Sequence, residues 1–195
     1  MTCIIGVFDK VNDCIYIGAD SLGSSSWNQA LYKNKKVFKA KDNKNILMAI
    51  SGAYKLQNFL SVEENLIEEI KELKNEVDFE HMVKYVSPKI MNLSKQYNCV
   101  TVTNGRTYLC GNVIFAYKNQ LYMIQEDGSV LEPYDGYVAS GSGGDHATAV
   151  LSVNGDKDVV TRIIEGLESA EKHAVGVKRP FYIMNTLNDE VIEIK

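Results

Sequence analysis

The spacing of apolar residues changes along the chain and divides it into strand-like and helix-like stretches. Short apolar, β-branched runs at residues 3–8 and 14–19 are separated by turn-forming residues, which predicts a hairpin. Runs at residues 36–40 and 46–50 continue the pattern. The opening section is therefore expected to be a four-stranded antiparallel meander.

Apolar positions three and four residues apart then predict helices. One runs from residue 53 to about residue 73; a second runs from 79 to about 97, with Asp78 as its N-cap and Pro88 as an expected kink or break. The remaining elements are strands at 99–103, 107–116, 121–125 and 137–140, helices at 145–153 and from Asp156, and strands at 181–185 and 191–194.

This order of strands, two helices, strands, two helices and strands predicts an α+β fold. Two antiparallel sheets, each covered by a helix pair, would bury every apolar stripe in a four-layer αββα sandwich. No internal repeat, low-complexity tract or linker interrupts the pattern, so residues 1–195 are expected to form one domain.

Composition excludes several classes of protein. Hydrophobic residues make up 45% and charged residues 24%, as in an ordinary globular protein. A net charge of −4, without a basic run interleaved with aromatics, gives no indication of a nucleic-acid surface. The apolar runs are too short to span a membrane and no signal-peptide pattern is present, so a cytoplasmic protein is expected.

The four cysteines give no indication of a metal centre. Cys3, Cys14, Cys99 and Cys110 lie in apolar runs and form no C-x-x-C pair. Buried free thiols in a reducing compartment are therefore expected, and no metal or cofactor is predicted.

Candidate chemistry begins at Thr2, which directly precedes a buried strand. Once Met1 is removed, Thr2 would carry both a hydroxyl nucleophile and an α-amine that can act as its base. Such a pair needs a nearby cation that keeps the amine neutral, an acidic partner for that cation, and N–H donors for the oxyanion. Threonine is also a common strand residue, so its type alone does not separate this role from an ordinary terminal position.

The chain offers candidates for each requirement. Asp20 ends the strand that pairs with the strand of Thr2, and Lys36 begins a later strand. Ser51-Gly52-Ala53 is a strand-to-helix junction with N–H groups at a helix N-terminus. Gly141-Ser142-Gly143-Gly144 is a second junction and lacks the lysine of a phosphate loop. Taken singly, each of these features is also compatible with an ordinary turn.

Together, these features resemble the proteasome β-subunit family, including the bacterial HslV-type peptidases, over nearly the whole chain. The resemblance implies an N-terminal-nucleophile hydrolase that cleaves peptide bonds and forms stacked rings, usually fed by an unfolding ATPase. The segments that carry it are Thr2, Gly18-Ala19-Asp20-Ser21, Lys35-Lys36-Val37, Ala49-Ile50-Ser51-Gly52-Ala53 and Gly141-Ser142-Gly143-Gly144.

By this resemblance, Thr2 is expected to be the nucleophile after removal of Met1, with its freed amine as the general base. Lys36 would lower the pKa of that amine, and Asp20 would pair with Lys36. Ser142 would hydrogen-bond the amine.

The resemblance also implies that the N–H groups of Ser51 and Gly52 bind the oxyanion. The family segment usually reads Gly-Gly, so Ser51 adds a side chain to the cleft. His173 falls where many proteasome subunits carry an aspartate of the amine's hydrogen-bond network. Ala49 is expected near the pocket for the residue before the scissile bond, where its small size would leave room.

The leading prediction is therefore a threonine endopeptidase in a homo-oligomeric ring, acting on peptides or unfolded proteins with an unfoldase ATPase as partner. Two alternatives stay open. One is a catalytically silent scaffold subunit, suggested by His173, and the other is an amidase for a non-peptide amide.

Overall fold

Two five-stranded antiparallel sheets form the centre of the molecule. The computed structural model describes residues 2–24, 28–64, 66 and 77–195. In spatial order the first sheet contains β12 (Tyr137–Ser140), β1 (Ile4–Asp9), β2 (Cys14–Ala19), β13 (Phe181–Asn185) and β14 (Val191–Ile194). The second contains β11 (Val130–Leu131), β10 (Gln120–Ile124), β9 (Gly111–Tyr117), β6 (Ile46–Gly52) and β5 (Val37–Lys39).

Two short ribbons and four helices complete the described part of the chain. The ribbons pair β3 (Leu22–Ser24) with β4 (Gln29–Leu31), and β7 (Val100–Thr103) with β8 (Arg106–Leu109). The helices are α1 (Tyr54–Val62), α2 (the consecutive segments Phe79–His81, Met82–Val86 and Ser87–Gln96), α3 (Gly144–Val153) and α4 (Val159–His173).

Apolar side chains fill three layers between these elements. Because side chains alternate along a strand, Ile4 of β1 packs between the two sheets, whereas Ile5 and Val7 pack beneath α3 and α4. Leu56 of α1 and Ile90 of α2 pack on the outer face of the second sheet. The α+β, four-layer αββα prediction is confirmed.

The predicted opening meander was wrong. β1 and β2 form a hairpin in the first sheet, whereas β5 and β6 form a hairpin in the second. All four strands are buried apolar runs, so their pattern identifies strands but not the sheet to which each belongs. The polar stretch between the hairpins contains the β3–β4 ribbon.

The strand predicted at residues 107–116 is two strands in separate sheets. It breaks at Cys110, where β8 leaves the ribbon and β9 joins β6. The crossing is tight, because a Cβ atom at Gly111 would lie 2.0 Å from the carbonyl oxygen of Ser51. Backbone contact of this kind requires glycine.

Two helix boundaries differ from the sequence pattern. α1 ends at Val62 because Glu63 adopts an extended conformation, and residues 65 and 67–73 of the predicted helix lie outside the described residues. The last helix begins after Asp158 rather than at Asp156, because the Asp158 carboxylate accepts from the backbone N–H of Thr161 at 2.9 Å.

Pro88 does not break α2. It lies at the start of the Ser87–Gln96 segment, directly after the π-helical turn Met82–Val86. Proline removes one backbone donor, and the locally changed winding lets the helix continue through it.

α4 packs directly against β2 at Gly18. A Cβ atom at this position would lie 2.3 Å from Cγ2 of Ile163 and 3.4 Å from Cδ1 of Leu167. The absence of a side chain at residue 18 therefore sets the distance between the helix and the sheet.

We expect Gly18→Ala to lower the free energy of unfolding by about 1–3 kcal/mol, because the added methyl group overpacks this contact. Urea denaturation monitored by circular dichroism measures the change. Gly155→Ala is the matched control, because no atom lies within 4 Å of its added methyl group. An equal loss in both variants would contradict the packing argument.

Candidate active site

Thr2 lies at one end of the first sheet, where three adjacent strands begin or end. β1 lies between β2 and β12, and Ile4 is opposite both Ala19 and Ser140. Since the pairing is antiparallel, the chain preceding Ile4 lies beside the residues that follow Ala19 and Ser140. Thr2 therefore lies between Asp20 and the glycine-rich junction after β12.

The glycine-rich junction holds the backbone of Thr2. The N–H of Gly143 donates to the Thr2 carbonyl oxygen at 3.1 Å. Gly141 has φ +95°, and a Cβ atom there would lie 2.2 Å from the same oxygen. A side chain at residue 141 would thus block the approach.

Ser142 contacts both polar backbone groups of Thr2. Its Oγ accepts a hydrogen bond from the Thr2 nitrogen at 3.1 Å, and its hydroxyl donates to the Thr2 carbonyl at 3.4 Å. Ser142 therefore lies beside the nitrogen that becomes an amine if Met1 is removed. Thr2 itself is 3% exposed.

The residue that follows Thr2 contacts a buried ion pair. Lys36 Nζ is 2.7 Å from Asp20 Oδ1, and the two residues are 2% and 0% exposed. The same Asp20 oxygen accepts from the N–H of Cys3 at 2.9 Å. One carboxylate oxygen thus links the lysine to the backbone of Cys3, between Thr2 and the start of β1.

Further hydrogen bonds satisfy the remaining polar atoms of this pair. Asp20 Oδ2 accepts from the backbone N–H groups of Leu22 at 2.9 Å and Lys178 at 3.4 Å. Lys36 Nζ also donates to the carbonyl oxygen of Leu22 at 2.8 Å. A buried charge pair is tolerated when its other donors and acceptors are occupied in this way.

Burial changes the electrostatics of the groups around Thr2. It lowers the pKa of Lys36, although the charge and the hydrogen bond of Asp20 oppose that shift. Burial, followed by the negative charge of Asp20, raises the pKa of the Cys3 thiol to about 12. Cys3 is therefore protonated at neutral pH and does not provide a competing thiolate.

The predicted strand-to-helix junction is present: Ser51 and Gly52 are the last residues of β6, and Ala53 is the N-cap of α1. They lie opposite Asn112 and Gly111 in the β6–β9 ladder, and only Ala53 separates them from α1. Gly52 has φ +122°, and a Cβ atom there would lie 2.3 Å from the carbonyl oxygen of Cys110. The turn toward the helix thus depends on a glycine at this position.

A chain of hydrogen bonds joins the end of β6 to the glycine-rich junction. Residue types and spacing did not predict it. Ser51 Oγ lies 2.9 Å from Ser140 Oγ, and Asn112 Nδ2 donates to Ser140 Oγ at 3.0 Å. Ser140 directly precedes Gly141, so the chain connects the end of β6 to the glycine-rich junction. Only the strand register brings these polar residues together, and the sequence carries no local signal for it.

Two other residues singled out in the sequence have the following surroundings. Ala49 is fully buried between the sheets, opposite Val37, and its expected place near a substrate pocket stays a prediction. His173 is exposed at the end of α4, and its ring lies 5.4 Å from that of His146.

A cavity of about 360 Å³ lies near the ion pair, with neither Asp20 nor Lys36 among the described residues that line it. The Tyr54 ring in its wall has its centroid 6.0 Å from Lys36 Nζ, and Gly23 follows the residue whose carbonyl binds that lysine. Besides Gly23 and Ala30, the described residues that line it carry hydroxyl or carboxamide side chains: Ser24, Asn28, Tyr32, Asn34, Tyr54 and Asn58.

Two classes of feature are absent from residues 2–24, 28–64, 66 and 77–195. No group of three or more His, Cys, Asp or Glu side chains is arranged to hold a metal ion. No helix in these ranges is long and apolar enough to cross a membrane.

Comparison with known families identifies the group to which this arrangement belongs. A family model described as proteasome subunit matches residues 2–165. The chain is a member of the proteasome subunit family. This confirms the family resemblance of the sequence, whereas none of the curated protein sequences compared with the chain matches it.

Solved structures share the fold of this proteasome-family chain at low sequence identity. The HslV of Trypanosoma brucei superposes with a TM-score of 0.71 and 18% identity, over 94% of this chain and 98% of that one. The Thiobacillus denitrificans protein BPH gives 0.73 and 16%, over 95% and 97%. BPH in complex with epoxomicin gives 0.69 and 15%, over 94% and 97%. Identity at this level establishes the fold alone.

We expect Lys36→Met to lower the free energy of unfolding by about 3–5 kcal/mol, because Asp20 would keep a buried charge without its cation. Urea denaturation measures this loss, and the double variant Asp20→Asn/Lys36→Met should recover part of it. Lys84→Met is the control, since Lys84 pairs with Glu80 at the surface and its loss should have little effect. A loss for Lys36→Met no larger than that of the control would contradict the expectation.

The raised pKa of Cys3 predicts resistance to alkylation in the folded protein. At pH 8–9.5 the Cys3 thiol stays protonated, because this range lies below its pKa of about 12, and it is also buried. Iodoacetamide treatment followed by peptide mass spectrometry should find Cys3 unmodified when folded and modified in urea. Rapid modification of Cys3 in the folded protein would show that its environment is not as described.

Proposed function

We propose that this protein is a threonine endopeptidase that uses Thr2 as its nucleophile after removal of Met1. The observation that carries the proposal is the hydrogen bond of the Thr2 nitrogen with Ser142, beside a buried Asp20–Lys36 pair that binds the next residue, Cys3. Membership of the proteasome subunit family supports it. The fold brings residues 2 and 3 to the end of the first sheet where Ser142 and Asp20 lie.

The ion pair would adjust the basicity of the freed amine. A cation near an amine disfavours the protonated form, so the charge of Lys36 would lower the amine's pKa and keep it neutral. Asp20 would keep Lys36 charged despite its burial. The Ser142 hydroxyl, 3.1 Å from the nitrogen, would orient the amine.

Peptide cleavage would then proceed in two steps. In the first, the neutral amine takes the proton of the Thr2 hydroxyl as the oxygen attacks the substrate carbonyl carbon. The N–H groups of Ser51 and Gly52 would stabilise the oxyanion. Return of the proton to the peptide nitrogen releases the leaving fragment and leaves an ester on Thr2. In the second step, a water molecule activated by the same amine hydrolyses that ester.

The cavity beside Lys36 would receive the substrate side chain that precedes the scissile bond. It lies next to β3, whose Leu22 carbonyl binds Lys36, and next to Tyr54, two residues after Gly52. A peptide whose carbonyl faced Ser51 and Gly52 would thus have its side chain beside this cavity.

We also propose a homo-oligomeric ring in the cytoplasm that takes up peptides or unfolded proteins and works with an unfoldase ATPase. Three large side chains of α2, Phe79, Val83 and Tyr85, remain between 45% and 49% exposed. Apolar side chains grouped on one helix are a typical subunit contact. Native mass spectrometry of the purified protein measures the assembly directly.

A catalytically silent scaffold subunit is the second candidate. It is favoured by the exposed position of His173 and by the side chain that Ser51 adds where relatives usually have glycine. An amidase with a non-peptide substrate would use the same nucleophile, and comparing small acyl amides with fluorogenic peptides separates the two chemistries.

We expect Thr2→Ala to reduce hydrolysis of fluorogenic peptides at least about 1000-fold, because it removes the nucleophile. Thr103→Ala, an exposed threonine on β7, is the matched control and should keep full activity. A peptide vinyl sulfone should modify residue 2 of the wild-type protein, as detected by mass spectrometry, and only in molecules that have lost Met1. Unchanged turnover in Thr2→Ala would rule out this nucleophile, and complete inactivity without labelling would support the scaffold.

A further inference from the structure

Two cysteines that the proposed peptidase chemistry does not use lie opposite each other at the end of the β7–β8 ribbon. Val100 is opposite Leu109 in this antiparallel ribbon, so the next pair outward is Cys99 and Cys110. The N–H of Cys110 donates to the carbonyl oxygen of Cys99 at 3.1 Å, which shows that the two backbones are paired there as well. Both thiols are free.

This pairing brings the two side chains close enough for a covalent bond. Directly opposite residues of an antiparallel pair lie on the same face, with Cα atoms about 5.5 Å apart where a hydrogen bond joins them and Cβ atoms about 4.5–5.5 Å apart. A disulfide needs Cα atoms about 4.4–6.8 Å apart and Cβ atoms about 3.5–4.5 Å apart. A bond between Cys99 and Cys110 therefore requires the two Cβ atoms to approach by about 1 Å.

The sulfur of Cys110 faces the strand that carries Cys99. Its Sγ atom lies 3.8 Å from the hydroxyl oxygen of Thr101, and this contact is exposed to solvent. Thr101 is two residues after Cys99, and residues two apart lie on the same face of a strand. Cys99 itself is only 1% exposed, and burial raises the pKa of its thiol. An oxidant in solution therefore meets Cys110 first.

The backbone of Cys110 also supports the segment proposed to bind the oxyanion. Its carbonyl oxygen accepts a hydrogen bond from the N–H of Ala53 at 2.8 Å. The next residue, Gly111, lies opposite Gly52 in the β6–β9 ladder. The Cys110 backbone therefore cannot move toward Cys99 without changing its contact with residues 52 and 53.

We propose that Cys99 and Cys110 form a reversible disulfide site through which peroxide lowers the peptidase activity. The disulfide follows from the ribbon geometry, whereas its effect on cleavage rests on the proposed function. Closing the bond draws the Cys110 backbone toward Cys99. The N–H groups of Ser51 and Gly52 then shift from the positions in which they would stabilise the oxyanion.

The oxidation is complete with hydrogen peroxide as the oxidant. The Cys110 thiolate attacks one peroxide oxygen and the O–O bond breaks. The hydroxide that leaves takes up the proton lost by the thiol and becomes water, and Cys110 carries a sulfenic acid. The Cys99 sulfur then attacks the Cys110 sulfur, the S–O bond breaks, and the oxygen leaves as a second water with the Cys99 proton. The two thiols together lose two electrons, and one peroxide is reduced to two waters.

Peroxide treatment, followed by non-reducing digestion and mass spectrometry, should identify a Cys99–Cys110 peptide pair that dithiothreitol removes. Hydrolysis of fluorogenic peptides should fall about 10-fold or more on oxidation, because a small displacement of an oxyanion donor is costly, and should recover on reduction. Cys110→Ser should form no such pair and have equal activity before and after peroxide. Cys99→Ser is a second variant that lacks the same bond.

Cys14→Ser is the matched control, because Cys14 is a buried free cysteine of β2 in the other sheet. It should form the Cys99–Cys110 pair and lose activity in peroxide as the wild-type protein does. Absence of this pair in the peroxide-treated wild-type protein would overturn the proposal, as would an equal loss of activity in wild type and Cys110→Ser.

Hydrogen–deuterium exchange separates this inference from the proposed catalysis. The amide of Ala53, which donates to Cys110, should exchange faster in the oxidised than in the reduced wild-type protein, and equally in both conditions in Cys110→Ser. That result would support the disulfide site and its coupling to residues 52 and 53 even if the protein cleaves no peptide. A disulfide that leaves the exchange of Ala53 unchanged would refute the coupling, and cleavage that is equal in both states would refute the effect on activity.

Discussion

The candidate site depends on a single buried charge pair. Asp20 and Lys36 lie almost fully out of contact with solvent, where an unpaired ion would be very costly. Backbone groups offset this cost: the N–H of Cys3, the N–H and carbonyl of Leu22, and the N–H of Lys178. The Asp20 carboxylate binds both Lys36 and the backbone of Cys3, so the positions of the lysine and of the first strand depend on each other.

Strand register explains why the other site residues meet there. Thr2 precedes β1, Asp20 follows β2 and Gly141 follows β12. These three strands are neighbours, and Ile4 lies opposite both Ala19 and Ser140. A shift of one residue in either ladder would turn Ile4 out of the layer between the sheets. The hydrophobic core thus fixes the register, and the register fixes the distance from Ser142 to the nitrogen of Thr2.

Much of the fold could be predicted from apolar spacing, because strands such as residues 137–140 and 181–185 are short, apolar and bounded by turn residues. The assignment of strands to sheets could not be predicted this way. Four buried strands in succession form a meander or two separate hairpins with the same local pattern. The break at Cys110 likewise depends on a backbone crossing with Ser51, which is far away in the sequence.

The candidate site, like the fold, could be predicted from the sequence only in part. Thr2, Asp20, Lys36 and Ser142 were identified from residue type and order, and the structure brings them together, although their chemical roles remain proposals. Ser140 and Asn112 could not be found, because a serine and an asparagine in separate strands have no meaning until the register is known. The pairing of Ser51 with Ser140 shows how a departure from the usual glycine is accommodated, by giving the added hydroxyl a partner.

The hydrogen bond from the Lys178 amide to Asp20 makes the surroundings of the buried carboxylate depend on a distant part of the chain. Residue 178 lies 158 positions after Asp20, and Ser142 lies 140 positions after Thr2. Folding is slow where contacts join residues this far apart, because the loop between them must close before the contact forms. The surroundings of residues 2 and 20 are therefore a product of the complete fold and cannot form from a local segment.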